Sequence, residues 1–379
     1  MNDRSLRRRP GCRTRAAVLL VSLLLQSQAV TAAEPITFKW HTIPMPDGSG
    51  APAVSFIAPE GWRVEGGMQR TPFELRNMFS MTDLLIEAED GRSVHFYPTL
   101  NFRYSDYTQA MPMQAFDGSY FLPPPQSIGQ WILDMYRMSP DSTVSDLQIV
   151  AEEPMPELTK LLQRMFQLQM QDLARMQHAP GGAASMNVGG TKVVFRYRQG
   201  GRQMEETFLV GWHVMVMTTY GQVATANWGV VDMRSLAGPA GSDYINDPAL
   251  VTIAQSMRFT PAFFEAMHGY YQRLYRRAPP KTVGQLKQNG DSIGDILHDG
   301  WKKRSGMTDA GQSREVDMIH ERTPYSTPGG DTVYLSSHYQ QVYGDGQGRF
   351  LLSNDLNWDP RSDSAFNRNE WQMLEPARP

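Results

Sequence analysis

Cysteine is almost missing from this chain: there is one in 379 residues, Cys12, and it precedes a short apolar stretch near the start. No run approaches the roughly 20 apolar residues that a membrane-spanning helix needs. There is no S-x-x-K, no H-E-x-x-H and no Walker A loop, and His320-Glu321 lacks the second histidine of a zinc helix. Positive charge is not in excess, since Lys and Arg number 36 against 39 Asp and Glu, which argues against a nucleic-acid surface built on clustered Lys and Arg. With 41% hydrophobic and 20% charged residues the composition is that of a globular protein and excludes wholesale disorder. The length predicts two or three folding units.

What is present at the start reads as a leader. Met1–Arg15 carries Arg4, Arg7, Arg8, Arg9, Arg13 and Arg15 against Asp3, then Ala16–Leu25 is apolar, then small residues lead to Ala33. A basic segment, an apolar segment of about 10 residues and a small-residue end describe a cleavable Sec-type secretory signal over residues 1–33. Cys12 lies ahead of the apolar segment, so it cannot be a lipoprotein cysteine at the cleavage site. Removing the leader takes basic residues from 36 to 30 and acidic from 39 to 38, a net charge of −8. It also removes the cysteine. The mature chain is then expected to be periplasmic or secreted, without a transmembrane segment. It can be neither a disulfide scaffold nor a protein of thiol chemistry.

Local patterns in the remainder predict an α+β fold, an antiparallel sheet packed by helices. Ile36–Trp40 and Ser55–Trp62 read as strands, and Leu84–Glu89 and Ser93–Tyr97 flank an Asp90-Gly91 hairpin turn. Ser127 and Gln130 form a capping box for a helix Ile128–Met138. Asp146–Glu152 reads as a strand, and Pro156–Gln177 as one long helix. Gly181–Gly190 reads as a flexible loop. Lys192–Arg198, Gln203–Val210, Trp212–Thr218 and Asn227–Arg234 read as a meander with joints at Gly200-Gly201 and Gly211. Asp247-Pro248 and Thr260-Pro261 cap two further helices, Pro248–Met257 and Ala262–Arg276. A linker over 277–294 and a small antiparallel β module over 295–379 complete the expected division. That module has a short helix around Trp301 and strands at Val316–Ile319, Thr332–Leu335, Tyr339–Tyr343 and Arg349–Ser353.

The region from about 36 to 261 resembles the PsbP/Mog1/DcrB-like group. The features that carry the likeness are an opening strand ending in Pro59-Glu60-Gly61-Trp62, the late meander, and a closing helix running into the strand Ala254–Thr260. The long helix 156–177 and the stretch Asn101–Pro125 look like insertions. The resemblance implies a sheet packed by helices and a role in binding or assembly rather than a shared active site. The tail resembles a small module of uncharacterised bacterial exported proteins. It carries Trp301, Tyr339, Val342 and Tyr343, the turn Gly344-Asp345-Gly346-x-Gly348, then Asn357, Asp359, Pro360 and Trp371.

The chemistry on offer is sparse. Glu152-Glu153 and Glu205-Glu206 are neighbours on strands and point to opposite faces, while Glu87 and Glu89 share a face that reads as solvated. Asp345, Asn354, Asp355 and Asp359 do not have the spacing of a calcium loop and read as turn and capping residues. Gly344–Gly348 reads as a hairpin turn rather than a phosphate loop. His213-x-Met215-x-Met217 puts an imidazole and two thioethers on one strand face, a donor set suited to Cu(I), and Met111-x-Met113 adds two more. Val214 and Val216 alternate with them, so the same pattern fits a central strand buried on both sides. Tyr334, Tyr339, Tyr343, Phe350, Trp358 and Trp371 read either as the core of a small module or as a peptide groove, with Tyr339 and Tyr343 undecided between the two. No catalytic, cofactor or metal residue is assigned. The expectation is an exported, non-enzymatic binding or assembly factor with a protein or envelope-component partner. Its alternatives are a soft-metal binder at His213, Met215 and Met217 and a hydrolase with a scattered His–acid site.

Overall fold

The computed structural model describes residues 35–138, 143–176, 182–219, 222–276, 322–327, 329–330, 332–337 and 339–377. The expected leader, the linker, the short helix around Trp301, the strand Val316–Ile319 and His320-Glu321 lie outside them. The chain opens with β1 (Ile36–Pro44), β2 (Pro52–Pro59), β3 (Arg63–Arg70), β4 (Ser80–Glu87), β5 (Ser93–Phe96), β6 (Leu100–Ser105), β7 (Ala115–Phe116) and β8 (Ser119–Phe121). Then follow α1 (Ile128–Met138), β9 (Val144–Pro154), α2 (Pro156–Met165) and α3 (Gln167–Met176). Three strands of 18 residues come next, β10 (Gly182–Gln199), β11 (Arg202–Thr219) and β12 (Gln222–Pro239). The rest comprises α4 (Pro248–Ser256), β13 (Arg258–Phe259), α5 (Pro261–Arg276), β14 (Arg322–Ser326), β15 (Thr332–Ser336), β16 (Gln341–Gly344), β17 (Arg349–Ser353) and β18 (Gln372–Met373).

Strands take 48% of the described residues and helices 20%. The expected α+β, helix-packed fold is therefore corrected to a β-rich one with large sheets, one of them a curled half-barrel. A ten-stranded sheet runs β3-β4-β5-β12-β11-β10-β9, with β6 taking over from β5 along β12 and β8 and β7 attached to β6. A six-stranded sheet runs β13-β2-β1-β17-β16-β18, and β14 and β15 form a hairpin.

Two glycine-bearing stretches that read as a loop and a joint are strand, both for the same reason. Residues from Gly182 to Gly190 are not slack but the first half of β10, paired with β11 throughout. Their small side chains admit close neighbours: a Cβ on Gly190 would come within 2.7 Å of Leu158, and one on Gly189 within 2.4 Å of the Trp212 ring. Gly211 is not a joint but sits mid-strand, with Leu162 packed 3.3 Å from where its Cβ would be. The true joint is Gly200-Gly201, both at positive φ, as a two-residue hairpin requires.

The tail strands are joined to the opening ones. β17 pairs with β1 from Ile36↔Leu352 to Lys39↔Arg349, so tail and opening strands share one sheet, and 34–379 cluster as one unit. One core joins Phe38, Phe56 and Ile57 of that sheet to Leu84, Ile86 and Phe96 of the other, to Leu250 and Ile253 of α4, and to Val333, Leu335 and Phe350 of the tail. Two more cores lie on opposite faces of the long strands. One is under α1, with Trp131, Phe195, Phe208 and Trp228; the other is under α2 and α3, with Leu162, Leu173, Met186 and Val188.

Helix ends follow the chemistry of their caps. The Asp247 side chain accepts from the amides of Ala249 and Leu250, opening α4. Ser127 Oγ accepts from the Gln130 amide at 3.1 Å, but Gln130 does not reach back as a capping box requires. Its side chain donates to Asp134, and Glu152 of β9 takes the Ile128 amide instead. The expected single helix 156–177 is broken at Phe166, where φ is −96 and ψ 7.

Candidate functional site

β11 is the strand on which the candidate chemistry meets, because its two faces carry different residues. Even-numbered positions Met204, Glu206, Phe208 and Val210 face α1; odd-numbered His213, Met215 and Met217 face α2 and α3. The bulge beside Gly211 and Trp212 lies on the β12 side and leaves this parity intact along β10.

On the α1 face Glu206 is 5% exposed and surrounded by hydroxyls. Tyr97 donates to its Oε1 at 3.1 Å and Tyr136, from α1, to its Oε2 at 3.1 Å. Ser235 donates to the Tyr97 oxygen at 3.5 Å, and Tyr197 stands close enough for the Glu206 charge to act on its hydroxyl. Burial raises the Glu206 pKa, and the bonds from Ser235, Tyr136 and Tyr97 together with the nearby His95 oppose the rise. The three tyrosine hydroxyls are themselves pushed up, by burial first and by the Glu206 charge second, so they stay protonated donors. Glu205 points the other way and holds Arg196 at 3.0 Å.

At the rim of this network His95 Nε2 lies 2.6 Å from Asp83 Oδ1, with its ring over Tyr97 at 3.9 Å. This is a His–acid pair beside hydroxyls, the arrangement that a scattered hydrolase needs. The adjoining hydroxyls are those of Tyr97, half-buried and bonded to Glu206, and Ser235, buried and bonded to Tyr97. The geometry therefore builds a polar core with a histidine at its edge, not an activated nucleophile facing substrate.

On the opposite face the structure brings His213 and Met215 together under α2 and α3 and leaves Met217 at the outer end, 40% exposed. Met215 is the direct cross-strand partner of Met186, and His213 of Val188 and Gly229. Directly opposed residues bring their Cβ atoms to about 5 Å. Met170 of α3 packs on the same cluster. The His213 ring stacks on Phe166 at 5.3 Å, and a Cβ on Gly229 would come within 2.9 Å of its Cε1, so glycine there makes room for the imidazole. Burial alone drives the His213 pKa down to about 4, which keeps the ring neutral. Its Nδ1 is sealed from solvent and has no hydrogen-bond partner.

The tail aromatics do not form a groove. Tyr339, Tyr343, Phe350 and Trp371 are buried, and Tyr334 and Trp358 are half-buried. Trp371 Nε1 donates to the Phe366 carbonyl, and Tyr343 OH to that of Trp358. The tail acids serve turns: Asp345 accepts from the Gln347 and Arg349 amides, Asn354 from that of Gln340, Asp355 from that of Asn357, and Asp359 holds Arg361. Among the described residues no group of three or more His, Cys, Asp or Glu is placed to hold a metal ion. Glu152 caps α1 and Glu153 pairs with Lys192.

Three features escaped sequence reasoning. Glu206 had a readable signal, because it occupies the apolar parity of Met204, Phe208 and Val210. Met186 lies in the segment Gly181–Gly190, whose small residues read as a loop. The third is a solvent-facing rim: Tyr107 is 78% and Met111 72% exposed in the segment after β6. The amides of Tyr107 and Thr108 both bond back to Ser105, whose register partner Thr225 is in turn opposite Met217. Two strand spacings, about 10 Å, therefore separate the Tyr107 turn from Met217.

No protein-family model, no curated protein and no solved structure matches this chain significantly. Among the described residues no helix is long and apolar enough to cross a membrane.

Proposed function

We propose that this is an exported, periplasmic or secreted, non-enzymatic binding factor, whose partner is a protein held at the outer end of the long strands. The observation that carries the reading is a pair of large apolar side chains turned to solvent about two strand spacings apart, Tyr107 on the turn after β6 and Met217 on β11, with Met111 exposed in the same segment as Tyr107. Exposed apolar clusters of this kind mark interaction sites, and methionine adapts its shape to a partner. The fate of the other groups supports it, since the tail aromatics are spent on the core and the His95–Asp83 pair adjoins only committed hydroxyls. The likeness to PsbP/Mog1/DcrB-like domains points the same way.

The test is site-specific photocrosslinking in envelope extract, with the probe at Tyr107 and, as control, at Leu356, an exposed apolar position of the tail. The expected result is a protein adduct from position 107 alone, and loss of that protein from affinity capture by a Y107S/M111S variant whose melting temperature is unchanged. Identical adducts from both positions, or capture that survives in the variant, would overturn the reading. Flotation with envelope-lipid vesicles that depends on Tyr107 and Met111 would reassign the rim to an envelope component.

A further inference from the structure

The soft face of β11 is not used by the rim reading except at Met217, and it carries an unexplained group. A buried polar atom without a partner is unfavourable and calls for a reason. In a neutral imidazole one ring nitrogen is a lone-pair acceptor, and that lone pair is what a metal takes. His213 Nδ1 is such an unpartnered nitrogen, on the same strand face as Met215 and diagonal to Met186 across the β10–β11 ladder.

We infer that the α2–α3 face of the long strands is a soft monovalent-metal site, binding Cu(I), or Ag(I) in its place, through His213 Nδ1 and the thioethers of Met215 and Met186. The donor set selects the ion. Thioether and imidazole are ligands that Cu(I) prefers, whereas hard cations need converging oxygens that this face does not supply. Both ligand types are neutral, so the ion keeps its full charge in an apolar surrounding of Leu162, Leu173 and Val188. That penalty is far smaller for a single charge than for a double one. Binding oxidises nothing and displaces no proton, because the ring is already neutral and thioethers carry none.

The ladder also has a way in. Met217 shares the face two residues from Met215, a step of about 7 Å, and is the exposed member. An ion caught at Met217 would move to Met215 and Met186 and then to His213, from solvent toward the imidazole. Met170, packed on this cluster from α3, supplies a further thioether at the roof. Gly229 and Gly211 are the residues that let imidazole and helix approach so closely. The inference stands on residues other than Tyr107 and Met111, so it survives if the rim binds nothing.

The experiment is Cu(I) competition against the chromophoric chelator bicinchoninate under reducing conditions. It uses the full chain carrying C12S, so that no thiolate competes. The chain is expected to withdraw one equivalent. M215L and M186L, near-isosteric changes that a core tolerates, should each weaken binding at least about tenfold, with melting temperature held. H213L should abolish the one-equivalent step, while M111L/M113L, away from the face, should leave it unchanged. X-ray absorption of the loaded protein should show nitrogen and sulfur neighbours together. No withdrawal of Cu(I), or withdrawal unchanged in M215L, M186L or H213L, overturns the site.

Discussion

Each face of β11 sets one ionisable group under its helices, Glu206 on one and His213 on the other, and the two are treated in opposite ways. Glu206, under α1, has Tyr97 and Tyr136 on its two oxygens, with Tyr197 beside them. His213, under α2 and α3, keeps Nδ1 without a partner and has an aromatic ring and thioethers for company. The first face is built of rings in fixed contact, with Phe102 stacked on Trp228 at 4.1 Å and Trp131 edge-on to it at 5.7 Å. The second is built of methionine, leucine and glycine, which pack without fixing one geometry. Trp131 Nε1 is unpartnered too, but an indole N–H has only a proton to give and cannot ligate a metal. The difference teaches where to look for function: the satisfied carboxylate is structural, and the unsatisfied imidazole is the group with something left to bind.

Substitutions on the two faces should separate these roles. The largest loss is expected from Trp228→Ala, which removes the centre of the aromatic stack and its bond to the Leu122 carbonyl. Chemical denaturation should show about 3–5 kcal/mol of destabilisation, and a loss under 1 kcal/mol would mean that the α1 face is not the rigid one. Glu206→Leu comes next, because it strands the tyrosine hydroxyls; we expect about 2–3 kcal/mol.

Glu206→Gln should cost less and sharpen the comparison through pH. The folded pKa of Glu206 lies above its unfolded value, so its contribution is complete below the unfolded pKa of 4.5 and is lost as pH rises through the folded pKa. The stability difference between Glu206→Gln and wild type should therefore move in favour of the variant as pH is raised from 4.5. A difference that stays flat over that range would mean that burial does not perturb this carboxylate. The smallest effect is expected from His213→Leu, within about 1 kcal/mol of wild type without metal, since it deletes a buried atom that has no partner to lose.

Much of the local structure was legible in the chain, because it is written in residues a few positions apart. Asp90-Gly91 made its turn, Asp247 capped α4 through two amides, and Thr260 took the Phe263 amide. What was illegible depends on distant partners. Nothing near Arg349–Ser353 tells that its strand pairs with Ile36–Lys39, more than 300 positions earlier, so a tail that completes the first sheet read as a module of its own. Gly189, Gly190 and Gly211 read as slack or as joints, since the Leu158, Leu162 and Trp212 side chains that need their small size belong to other elements. The candidate site was half legible. Alternation put His213, Met215 and Met217 on one face, but Met186 joins them only through the β10–β11 register. Tyr339 and Tyr343, open between core and groove in sequence, are core, because β16 lies inside the six-stranded sheet between β17 and β18.

The comparison rests most directly on one paired measurement: unfolding free energies of Glu206→Leu and His213→Leu, each with and without one equivalent of Ag(I), in the full chain carrying C12S. The account predicts that Glu206→Leu is destabilised but keeps the silver-induced gain, whereas His213→Leu matches wild type without silver and gains nothing from it. A His213→Leu protein that is still stabilised by silver, or a Glu206→Leu protein as stable as wild type, would contradict the assignment of one face to structure and the other to binding.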